Sequence, residues 1–172
     1  MKKIAFLHFT ILAISCGSNP NSNTLSSPND ILFKAENNCP DNGDCKFEIL
    51  QNKGLEIQTD GIGKIYYKLN ESTNKDVYRY NYSEKTKDTL LQDAGYNEEI
   101  IFEIEKGKKE FSYVNQELQS TKMLFGVFCY CKGKAGYYDV KEGTLKKVKN
   151  QLSITIPAIV NNQKTKQIQI KL

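Results

Sequence analysis

From Ile31 onward the dominant spacing between apolar residues is two. Lys46–Gln51 and Leu55–Thr59 alternate on either side of Asn52-Lys53-Gly54, which has the composition of a hairpin turn. Lys64–Leu69 places Ile65, Tyr67 and Leu69 on one side, and Val77–Tyr82 sets Tyr78, Tyr80 and Tyr82 against Val77, Arg79 and Asn81. Burying Arg79 without a partner would be costly, so the tyrosine side is expected to face the core. Glu99–Glu105 sets Ile100, Phe102 and Ile104 against Ile101, Glu103 and Glu105. A half-buried strand keeps its polar side in water, so Glu103 and Glu105 are expected to be solvated.

Phe111–Val114 is a short strand, and Met123–Cys131 is the most apolar run, the expected central strand. Tyr137–Val140 and Thr144–Val148 flank the turn Lys141-Glu142-Gly143. Alternation then runs through Leu152, Ile154, Ile156, Ala158 and Val160, and resumes at Ile168, Ile170 and Leu172. Pro157 confines its strand to an edge or a bulge. Helical pattern is confined to one or two turns at Lys87–Ala94 and at Asn115–Ser120. About nine or ten short strands with regular turns predict an all-β domain over residues 31–172, an antiparallel β-sandwich or small β-barrel.

The N-terminus follows another rule. Met1-Lys2-Lys3 is a short cationic segment, Ile4–Ile14 is largely apolar, and small residues lead into Cys16. The apolar run is well short of the ~20 residues that a spanning helix needs. Ending on Leu12-Ala13-Ile14-Ser15-Cys16, it resembles a bacterial lipoprotein signal, although Ala13 stands where Leu is commonest. The resemblance implies removal of residues 1–15 and acylation of Cys16. Several acyl chains hold a domain firmly, at ~0.8 kcal/mol per buried CH₂. Gly17 rather than Asp follows the Cys, so the resemblance favours the outer membrane, on its periplasmic or its surface side. Residues 16–30 then form a polar tether, too poor in apolar residues to offset its ordering entropy.

Without residues 1–15 the chain keeps 157 residues, enough for one domain. The net charge of +4 includes Lys2 and Lys3, so the mature charge is +2, and no nucleic-acid partner is implied. The single His, His8, lies in the signal. A mature chain without imidazole has no Ser-His-Asp or Cys-His triad and no His-ligated metal. No catalytic residues and no metal ligands are assigned, and no cofactor is expected beyond the acyl lipid on Cys16. Asp41-Asn42-Gly43-Asp44 resembles the start of a calcium loop, but it lacks the downstream Glu and the alternating spacing and reads as a turn.

Four further cysteines, Cys39, Cys45, Cys129 and Cys131, read as two disulfides in an oxidising compartment. If the run through Cys131 is extended, Cys129 and Cys131 share a face about 6.5–7 Å apart. Bonded cysteines need Cβ atoms near ~3.8 Å. Cross-pairing of Cys39 and Cys45 with Cys129 and Cys131 is therefore the preferred expectation. Loop entropy points the same way, at roughly 2.3 kcal/mol for a seven-residue loop against about 4.6 kcal/mol for one of ~85 residues. The alternative is a local Cys39–Cys45 bridge with Cys129–Cys131 closed in a bulge, a bond open to reduction. A Cys₄ metal site does not fit these spacings.

Phe128-Cys129-Tyr130-Cys131-Lys132-Gly133 followed by Gly136-Tyr137-Tyr138 resembles sequences of small, uncharacterised lipoproteins of Bacteroidetes. Asp88-Thr89-Leu90 is similar to the short O-glycosylation sequence of that group's exported proteins. All ten tyrosines lie between Tyr66 and Tyr138, and Tyr suits recognition surfaces as well as strands. Tyr130, Tyr137 and Tyr138 are the expected recognition residues. The leading expectation is a non-enzymatic, lipid-anchored binding protein of the cell envelope with a protein partner, an inhibitor or immunity type included. A carrier barrel for a small apolar ligand comes next, and an envelope enzyme or thiol-redox protein after it.

Overall fold

The structure, a computed structural model, describes residues 31–34, 39–85 and 95–172. The signal segment, Cys16, the tether, the Lys87–Ala94 helix and Asp88-Thr89-Leu90 lie outside the described residues.

The described residues form twelve strands: β1 (Ile31–Lys34), β2 (Gly43–Leu50), β3 (Lys53–Thr59), β4 (Ile65–Glu71), β5 (Lys75–Glu84), β6 (Asn97–Glu105), β7 (Phe111–Val114), β8 (Leu124–Phe128), β9 (Gly136–Asp139), β10 (Thr144–Val148), β11 (Gln151–Thr155) and β12 (Gln167–Lys171). Asn115–Thr121 is a 3-10 helix, where a short helical segment was expected. Every pairing is antiparallel. One sheet has the order β1-β2-β5-β6-β8-β9-β4-β3 and the other β12-β11-β10-β7, an all-β, sandwich-like fold. No helix among the described residues is long and apolar enough to cross a membrane.

The main core fills the space between the sheets. From the large sheet come Phe47, Tyr80, Tyr82, Ile100, Phe102 and Phe125, each wholly buried. From the small sheet come Leu145, Leu152, Ile154, Ile168 and Ile170. The Tyr78/Tyr80/Tyr82 side of β5 faces inward, as Arg79 demanded. Arg79 itself is half-buried on the opposite face and pairs across the strand with Glu48, Nε to Oε1 at 2.6 Å.

A second, smaller core lies on the outer face of the large sheet. Leu50, Val77, Ile101 and Leu124 pack there against Leu55, Ile57, Ile65 and Tyr67. The last four belong to the β3–β4 hairpin, which joins β9 only through the pair Ile65–Tyr137 and lies over β5 and β6. β6 is therefore covered on both faces. This corrects the expectation for its acidic residues: Glu103 is 5% exposed, and only Glu105 is solvated. Glu103 accepts the Leu55 N–H at 2.7 Å and pairs with the Lys122 ammonium at 3.0 Å, clasping the hairpin to β6.

Two other expectations are corrected. The apolar run starting at Met123 does not stay extended to Cys131. β8 ends at Phe128, the chain bends at Cys129 and Tyr130, and a turn follows. The strand expected through Val160 stops at Thr155, ahead of Pro157.

Candidate functional site

Five neighbouring strands build the site through one row of the ladder. Lys46 (β2) stands opposite Asn81 (β5), Asn81 opposite Glu99 (β6), Glu99 opposite Gly126 (β8), and Gly126 opposite Tyr137 (β9). Side chains alternate along a strand, so all of these occupy the outer face. The row lies just beyond the β3–β4 hairpin, where the outer face opens into a cleft of about 690 Å³. Asp44, Ser83, Asn97 and Phe128 occupy the next row and continue the cleft wall toward the end of the sheet.

Gly126 has a specific part. A Cβ there would stand 2.6 Å from Cε1 of Tyr137, so the ring of Tyr137 occupies the space that any side chain would need. Lying over Gly126, Tyr137 reaches across β8 and donates its hydroxyl to Glu99 Oε1 at 2.8 Å. Tyr67, from the covering hairpin, donates to the same oxygen at 3.1 Å. The two rings meet edge to face with centroids 5.2 Å apart, and Phe128 meets Tyr137 in the same way at 5.2 Å. Such pairs contribute about 0.5–1.5 kcal/mol beyond their buried area.

Burial dominates the electrostatics. It raises the pKa of Glu99, opposed by the Tyr137 hydrogen bond, the Arg79 charge and the Tyr67 hydrogen bond. Burial and the Glu99 charge raise the Tyr137 phenol, which stays protonated as a donor. Burial also works against the charge of Arg79, but the bonded Glu48 carboxylate more than compensates. The result is a buried carboxylate held by two phenols, with an ion pair beside it at the cleft edge.

Glu98, its neighbour, points to the opposite face. Its oxygens accept the N–H groups of Lys164 and Thr165, each at 2.7 Å, and the hydroxyls of Thr165 and Tyr96. This carboxylate is saturated, and it fastens the β11–β12 loop to the large sheet. Glu98 and Glu99 therefore do not face one substrate as an acid–base pair.

The expected site residues are distributed unequally. Tyr137 lines the cleft. Tyr138 turns to the inner face, half-buried, and donates to the Lys134 carbonyl at 2.7 Å. Tyr130 is 97% exposed at the tip of the β8–β9 loop. The cysteines pair locally, Cys39 with Cys45 at a Cα separation of 5.6 Å and Cys129 with Cys131 at 5.2 Å. Cross-pairing is thereby overturned, and the sheet order supplies the reason. Cys45 on β2 and the end of β8 are separated by three inter-strand spacings, about 14 Å. No disulfide spans that distance.

Sequence reasoning missed Glu99, Gly126, Asn81 and Lys46 as site residues. The only available signal was a glycine inside the most apolar strand, which marks a close approach of another group. A second depression of about 900 Å³ is lined by Val114, Gln116, Glu117, Lys141 and neighbouring residues. Those side chains are all exposed, so it holds no group tuned by burial. Comparisons with protein-family models, curated proteins and solved structures find no match.

Proposed function

We propose that this is a non-enzymatic binding protein of the bacterial outer envelope, held by acyl chains on Cys16, whose recognition surface is the cleft beside Tyr137 and Glu99. The observation that carries the reading is the partial cover of the large sheet. The β3–β4 hairpin shields the apolar half of the outer face, and its Tyr67 reaches Glu99. Beyond it the same strands present Lys46, Asn81 and Phe128 around a buried carboxylate. A mix of aromatic wall, amide and charge in a concavity is the makeup of a recognition site. The size suits one inserted side chain or loop of a protein partner, and inhibitor and immunity types fall within this reading. A hydrogen-bond-donating or basic group of that partner would meet Glu99. The carrier reading gains less support, because wholly buried side chains fill the space between the sheets.

The test is capture of envelope proteins on the purified mature domain in parallel with an Asn81→Arg variant. Asn81 is half-buried in the middle of the cleft row, so the added bulk blocks the cleft with little change to the core. A partner retained by the native domain and weakened at least tenfold by Asn81→Arg supports the reading. Equal capture by both places recognition elsewhere and defeats it.

A further inference from the structure

Going beyond the binding reading and testable without any partner, we infer that Cys129–Cys131 is a thiol–disulfide exchange site acting on a protein dithiol at the lip of the cleft. Position, accessibility and redundancy carry the inference.

The two bridges are placed differently. Cys45 is 7% exposed, belongs to the main core and has the Tyr80 hydroxyl 2.9 Å from its sulfur. The Cys39–Cys45 bridge is therefore packed into the fold. Cys129 and Cys131 sit in the loop between β8 and β9, half-exposed, on either side of the fully projecting Tyr130. The preceding residue, Phe128, lines the cleft, so a segment seated there passes next to the sulfurs.

The bridge is also not needed to shape its loop. Lys134 N–H donates to the Cys131 carbonyl at 3.3 Å, and the Tyr138 hydroxyl donates to the Lys134 carbonyl at 2.7 Å. Lys64 Nζ adds a bond to the Ala135 carbonyl at 3.2 Å. A bridge across a single residue constrains the unfolded chain least of all. Stability is thus a poor reason for this bond. Exposed disulfides are the labile, more oxidising ones. After reduction the two thiols stay one residue apart, so closing the bond again is intramolecular.

Cys129 packs against the edge of the main core, whereas Cys131 begins the turn that carries exposed Lys132 and Gly133. Cys131 is accordingly the sulfur attacked. A partner thiolate forms a bond to Cys131 Sγ, the Cys129–Cys131 bond breaks, and its electron pair leaves on Cys129 Sγ, which takes a proton from water. The partner's second thiolate then attacks the partner sulfur of this mixed disulfide and releases Cys131 as a thiolate, also protonated by water. The partner dithiol is oxidised to a disulfide, and the cysteine pair is reduced by two electrons.

The test is a redox titration of the purified mature domain in dithiol–disulfide buffers, with alkylation of free thiols and peptide mapping. The expected result is alkylation of Cys129 and Cys131 under conditions that leave Cys39–Cys45 bridged, with the far-ultraviolet circular dichroism unchanged. Opening of both bridges together, or of Cys129–Cys131 only on unfolding, would overturn the inference. Single variants provide a second readout. The free Cys131 of Cys129→Ser should react with an aromatic disulfide probe at least tenfold faster than the free Cys129 of Cys131→Ser. Equal or reversed rates would overturn the assignment of Cys131 as the attacked sulfur.

Discussion

Gly126 and Tyr137 stand opposite each other on β8 and β9, and the ring of Tyr137 fills the place of the side chain that Gly126 lacks. The hydroxyl of Tyr137 can reach Glu99 only by crossing β8 at this residue. Gly126→Ala should push the ring aside, break the bond to Glu99 and destabilise the domain by about 1–3 kcal/mol, the usual cost of forced overpacking. Denaturant melts, together with loss of the Tyr137 hydroxyl signal in proton spectra, would check this. An Ala variant that keeps both stability and hydrogen bond would contradict the geometry.

Glu99 makes stability depend on pH in a defined direction. Burial holds its folded pKa above the ordinary carboxylate value of 4.5. The folded state therefore keeps its proton after the unfolded chain has released it, and stability falls as pH rises through that window. Glu99→Gln should remove this fall, so that native and variant differ least in acid and most above the raised pKa. Tyr137→Phe removes a bond that lowers the Glu99 pKa, and a carbon-detected carboxyl titration should show it moving further up.

The clasp at Glu103 should control the β3–β4 hairpin. Glu103→Ala leaves the buried Leu55 N–H without its acceptor, a penalty of about 1–3 kcal/mol. Amide exchange at Leu55 should quicken while that of β11 and β12 stays slow. Uniform quickening across both sheets would mean that the hairpin is not a separately opening unit.

Two tyrosines should separate core from surface. Tyr80 is wholly buried, and Tyr80→Ala should cost about 3–5 kcal/mol. Tyr130 is 97% exposed, and Tyr130→Ala should stay within about 0.5 kcal/mol of the native protein. Urea midpoints of the two variants decide the matter.

The anchor rests on the N-terminal segment, which lies outside the described residues. Cys16→Ser should abolish incorporation of labelled fatty acid and move the protein out of the membrane fraction. Unchanged detergent partitioning of this variant would remove the lipid-anchored part of the proposal.

Much of the fold was legible because alternation is a local property. Which side of β5 faces inward follows from the misfit of one arginine in a core, and the turns at Asn52 and Gly143 follow from the backbone, each residue having positive φ. What alternation cannot report is whether a second layer covers the polar side of a strand. Glu103 reads as a solvated residue in sequence, and the β3–β4 hairpin, folding back over β6, turned it into a buried clasp. The cysteines show the same division. Their number was readable, but their partners depended on where β8 ends and on which strands lie between β2 and β8. Pairing of strands distant in sequence set both, through hydrogen bonds and packing that no single segment contains.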